Sequence, residues 1–169
     1  MKKFLMFIAC GLIISNIAFA QAATKFGYIN SNDLLNAMPE KQKADTALNK
    51  YAKSFQDELE QMQQEGQKKL DDFQANQKTM TDAVKEVKTK ELEDLQSRIQ
   101  TIQQSAQEKI QAKRTELYTP IINKAQGAIK EVATEKGYDY IFDTSVGALV
   151  YQRQSDDIMS LVKAKLGIK

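Results

Sequence analysis

Apolar residues between 48 and 73 recur at Leu48, Tyr51, Phe55, Leu59, Met62, Gly66, Leu70 and Phe73, in steps of three and four. The first six steps form two eleven-residue repeats. Such repeats average about 3.67 residues per turn, which predicts a nearly straight helix with slight right-handed coiling, unlike a strict heptad seam. A matching stripe runs through Val84, Val87, Leu92, Leu95, Ile99, Ile102, Ala106, Ile110 and Leu117. A face this narrow covers one partner helix and leaves the rest of each arm to water, so the two stripes predict an antiparallel hairpin. Thr79, Thr81 and Asp82 are the best new helix caps, which puts the reversal near residue 80. Pro39 and Pro120 then lie at the same height and mark the base, with arms of about 40 residues and roughly 60 Å.

The pattern changes at both ends. Lys25 to Asn30 alternates as a short strand, Ser31 and Asn32 offer caps for a turn of helix to Ala37, and Pro39 suits the first position of a long helix. Pro120 should kink the second arm. Beyond it Ile121, Ile122, Ala125, Ile129, Val132 and Ala133 make a wider apolar face, as expected where the helix enters a packed body, and Gly137 ends it. Tyr140 to Asp143 reads as a second strand and Ala148 to Tyr151 as a third. Ser155 and Asp156 then cap a final helix carrying Ile158, Leu161, Val162 and Leu166. The fold class is α+β: a coiled-coil arm at 39–120 on a small body from 21–38 and 121–169. So few strands bury little core, and several chains are expected to complete a shared sheet or barrel. Phe26, Tyr28, Ile29, Ile141, Phe142, Leu149, Val150 and Tyr151 are the candidate assembly residues.

Met1, Lys2 and Lys3, an apolar run from Phe4 to Ala18, and the small residues Ala18-Phe19-Ala20 have the order of a secretory signal peptide. Residues 1–20 are therefore expected to be cut off before Gln21, which implies export. The run is short for a membrane span. Cys10, the sole cysteine, sits inside it, so the processed chain has no thiol and no disulfide framework. Loss of Lys2 and Lys3 leaves 22 basic against 22 acidic residues. That neutrality, without interleaved basic and aromatic residues, argues against nucleic acid as a partner.

Histidine is absent altogether. The commonest general base and metal ligand are missing along with the thiol nucleophile, and no Gly-rich phosphate loop follows a strand. Enzymatic activity, a bound metal and a cofactor are not expected. Carboxylate pairs such as Asp71-Asp72 read as solvated helix surface.

Several segments carry a family resemblance: Phe26-Gly27-Tyr28-Ile29-Asn30, Leu34-Leu35, Pro39, Pro120-Ile121-Ile122, Lys136 to Asp143, Leu149-Val150-Tyr151 and Asp156-Asp157-Ile158. Through them the chain resembles the Skp/OmpH family of periplasmic chaperones. The resemblance implies a trimer in which strands of three subunits form a small barrel and three arms enclose a cavity. It also implies binding of unfolded outer-membrane proteins without ATP. Contact with a membrane surface, without spanning it, stays open. The neutral processed chain departs from the basic character that family members can have.

On this reading Phe55, Leu59, Met62, Phe73, Met80, Val84 and Val87 are candidate client contacts, although most of such a stripe serves as the seam between the arms. Phe73, Met80 and Val84 stand nearest the tip, where neighbours are fewest. Lys78, Lys85, Lys88 and Lys90 outnumber Asp82 and Glu86 there. Gly66 either lets the arm flex or allows close helix approach. The competing class is a structural coiled-coil spacer or an adaptor that does not bind unfolded chains.

Overall fold

The computed structural model describes residues 24–168, so the leader expected at 1–20 and its cleavage site lie outside the described residues. The elements follow in order as β1 (Phe26–Ile29), α1 (Ser31–Ala37), α2 (Pro39–Asn76), α3 (Asp82–Lys136), β2 (Tyr140–Asp143) and α4 (Met159–Leu166). Single 3-10 turns at Thr144–Val146 and Gln154–Asp156 separate β2 from α4.

The hairpin follows the apolar pattern. Pro39 occupies the start of α2, where its missing N–H has no helical partner. The chain reverses between Asn76 and Asp82, and the Thr81 hydroxyl caps α3 by accepting from the Val84 N–H. The 38 residues of α2 span roughly 57 Å. Cross-arm pairs fix the register. The Tyr118 hydroxyl donates to Asp45 and Lys124 pairs with Glu40 on either side of Pro120. Nearer the tip, Lys69 lies 3.5 Å from Glu91. Lys41 and Tyr118 both donate to Asp45 and hold its carboxyl below the ordinary range, while the same bond raises the Tyr118 phenol. α3 continues past Pro120 into the body and stops at Gly137, whose φ of 65° is the left-handed cap that glycine adopts without strain.

One helix start moves by a residue. Asn30, rather than Ser31 or Asn32, caps α1, its side-chain oxygen accepting from the N–H groups of Asn32 and Asp33. The Ser31 hydroxyl is engaged elsewhere, by Asp143.

In the body β1 and β2 pair in parallel, Phe26 opposite Tyr140 and Ile29 opposite Asp143, so the whole helical hairpin is the crossover between them. Under the sheet lies a core of Ile29, Leu34, Met38, Ala44, Ile121, Ala125, Ala128, Val132, Ile158 and Val162. Gly27 sits where a side chain would crowd the body, since a Cβ there would lie 3.0 Å from the Tyr138 ring and 3.1 Å from Ile158. α4 is held to α3 by Lys165, which lies 3.0 Å from Glu131 and also pairs with Glu135.

The sheet has two strands where the residue pattern suggests three. Ala148 to Tyr151 is not a strand, and Val150 is fully exposed. The outer edge of β1 is taken, since Tyr28 bridges to Asp157 and its carbonyl accepts from the Ile158 N–H, and among the described residues the N–H groups of 148 to 152 donate to no backbone carbonyl, so the segment does not pair with the free edge of β2 either. Ser155 and Asp156 likewise do not cap α4. They sit in the preceding 3-10 turn, and the Asp157 carboxylate accepts from the Met159 N–H.

Candidate functional site

Two surfaces carry the candidate residues. The first is the arm. Met62 is buried in the seam with Leu48, Leu95 and Ala106, and Phe55, Leu59, Phe73 and Met80 are half-buried along it. Val84 and Val87 are the most open members of the stripe, at 43% and 57% exposure. They lie in the first two turns of α3, at the end of the arm next to the reversal. Phe55 meets Tyr51 edge to face at 5.1 Å, with the Lys109 ammonium 5.7 Å from its ring centre. Part of the positive bias at the tip is answered locally, Lys85 by Asp82 at 3.2 Å and Lys88 by Glu91 at 3.5 Å. The δ-methyl of Leu95 lies 3.4 Å from where a Cβ on Gly66 would stand, so the glycine marks close approach of the two arms.

The second surface is the body's sheet. Strand alternation sends Ile29 and Ile141 towards the core and Phe26, Tyr28, Tyr140 and Phe142 to the opposite face. Phe26 stacks on Tyr140 at 5.8 Å and lies 6.0 Å from Phe142. Phe26, Tyr140 and Phe142 nonetheless remain open, as do Val146, Val150 and Tyr151 beside them. Leu149, Tyr151 and Gln152 come back over Phe26, Tyr28 and Phe142 and only partly cover them. Burial raises the Tyr28 phenol, with Asp157 and Asp156 adding to the effect. Among the described residues the outer edge of β2 pairs with no strand. A run of apolar side chains beside an open sheet edge is what a second chain covers in many assemblies.

The residue pattern misses Asp143, Asp157 and Ala128. Asp143 ties β2 to α1 across 112 positions, a contact with no local signature. Ala128 looks like ordinary helix filler until the body closes over it. Among the described residues no helix is long and apolar enough to cross a membrane.

Fold and surfaces together define a hairpin-arm protein, a long polar-faced helical hairpin mounted on a small body with an open sheet edge. The family model for outer membrane protein (OmpH-like) matches residues 25–166, and the chain belongs to that family. It is 27% identical over 158 residues to chaperone protein Skp of Pectobacterium atrosepticum, with 94% of each chain covered. Its identity to chaperone protein Skp of Salmonella typhimurium is 31% over 151 residues, 88% of this chain and 89% of that one. A solved OmpH-like structure from Caulobacter crescentus has the same fold, with a TM-score of 0.76 at 16% identity over 86% of this chain and 85% of that one.

Proposed function

We propose that this chain is an ATP-independent holdase chaperone of the periplasm, which binds unfolded outer-membrane proteins and keeps them from aggregating. The observation that carries the reading is the relation to proteins named chaperone protein Skp along nearly the whole chain. The working unit is a homotrimer. In it the aromatic face of Phe26, Tyr140 and Phe142 and the segment of Leu149, Val150 and Tyr151 are covered by neighbouring copies, and the three arms surround a cavity. The open Val84 and Val87 near the arm tips, with half-buried Phe73 and Met80, contact the client. Phe55 and Leu59 do so further down the arm, and Met62 chiefly holds the seam. Many weak contacts of this kind hold a client without trapping it, and the role needs no enzymatic step, metal or cofactor.

The test is to dilute a urea-unfolded outer-membrane β-barrel protein into buffer containing this protein, without nucleotide, and follow turbidity. The client should stay soluble at stoichiometric amounts. Precipitation at the rate seen without the protein would favour a structural spacer or adaptor.

A further inference from the structure

We propose that Asp143 is a positioning residue for self-association: its carboxylate fixes where the chain leaves β2 and so sets Leu149, Val150 and Tyr151 in place for a second copy. The inference rests on the homotrimer reading and adds the device that prepares one copy to meet the next.

The geometry is a knot of three elements. One Asp143 oxygen accepts from the Ser31 N–H at 3.1 Å and the Ser145 N–H at 2.9 Å. The other accepts from the Ser31 hydroxyl at 2.6 Å, and that hydroxyl lies 3.1 Å from the hydroxyl of Ser145. The last residue of β2, the first residue of α1 and the 3-10 turn that follows β2 are thereby joined at one carboxylate. Gly147, with φ of 69°, then closes that turn through its N–H to the Thr144 carbonyl and redirects the chain over the aromatic face. From there to residue 152 the backbone N–H groups donate to no backbone carbonyl among the described residues. A segment with no ladder of its own takes its direction from its anchored ends, here the knot and the Tyr28–Asp157 bridge.

The surroundings of the carboxylate support an assembly role over a purely local one. Asp143 borders a groove between α1, α3 and the open edge of β2 that is lined by Ile29, Leu35, Ile122, Ala125, Ile129 and Ile141. Ser31 and Gln126 complete its wall, so Asp143 is its only ionisable group. A carboxylate at the rim of an apolar groove would resist being covered unless its lone pairs were occupied. Both oxygens already accept, from three donors in all, so a neighbouring copy can cover the rim without leaving either oxygen unpaired.

Sedimentation velocity across a concentration series, on protein purified after export, tests the inference with Asp143→Ala, Asp143→Asn and Ser31→Ala beside wild type. Asn accepts from the same N–H groups, so Asp143→Asn should assemble within about threefold of the wild-type midpoint. Asp143→Ala should raise the midpoint at least about tenfold while keeping the helical circular dichroism of the arms. Ser31→Ala, which removes only the hydroxyl bonds, should fall between them, and it decides the matter if Asp143→Ala loses its helical signal. Wild type assembling at the same midpoint as Asp143→Ala, or as Ser31→Ala in that event, would overturn this inference alone. Asp143→Asn as defective as Asp143→Ala would also overturn it. A wild type that stays monomeric throughout would overturn the trimer reading and this inference with it.

Discussion

From Leu48 to Ala106 the arm buries only Leu48, Met62, Leu95 and Ala106, whereas the body fully buries Ile29, Leu34, Met38, Ile158 and Val162. The arm meets its needs locally: its backbone bonds lie within each helix, and its charges pair at helical spacing, as in Lys41–Asp45 and Lys53–Asp57. The body combines a tight core on one side of its sheet with exposed aromatic rings on the other. The contrast teaches that the two parts respond to different changes. The arm has many replaceable contacts and few critical ones, and the body has few contacts of which most are critical.

The largest effect should come from breaking that contrast in the core. Leu34 is completely buried between α1 and its neighbours, and Leu34→Ala should cost about 2–5 kcal/mol in urea unfolding. Val87→Ser, on the open part of the arm, should change stability by less than about 0.5 kcal/mol. It should instead shorten the time a client stays soluble, and equal losses of stability for both variants would erase the distinction between the regions.

Smaller effects sharpen it. The hydroxyl and backbone donors of Ser31 and Ser145 outweigh the partial burial that would raise the Asp143 carboxyl and lower it from 3.8 to about 2. The unfolded chain therefore binds this proton more readily than the folded one. The stabilising contribution is complete above about pH 3.8 and is lost as pH falls towards about 2. Asp143→Asn should flatten that limb of the stability curve, measured by denaturant midpoints across acid pH, whereas Lys53→Ala on the arm should not. Gly66→Ala should stabilise the arm by up to about 1 kcal/mol, because the new methyl only touches Leu95. Spin-label distances between arm tips should then narrow if the glycine also lets the arm flex, and an unchanged distribution would assign Gly66 to packing alone.

What the residue pattern made legible follows the same division. Pro39, the Thr81 cap, the Gly137 stop and the reversal near residue 80 are local signals in a helical stretch, and each stands where its chemistry places it. The body depends on pairing between residues more than a hundred positions apart, which no local pattern carries. Ala148 to Tyr151 has strand-like residues and forms no strand: Asp157 and Ile158 hold the outer edge of β1, and the turn closed by Gly147 carries the segment over the aromatic face instead of along the open edge of β2. Ser31 looks like a cap and instead serves Asp143. For the candidate surfaces, residue types pointed to Val84, Val87, Phe26 and Phe142, while only the folded chain separates these open side chains from buried Met62 and Ile29.

The central claim, that copies join through the body so that their arms hold a client, is tested most directly by mass. Size exclusion with light scattering on a mixture of the processed protein and a urea-diluted outer-membrane β-barrel chain, without ATP, should give one species with the mass of three chains and one client. A monomer of this protein eluting apart from a precipitating client would contradict the account.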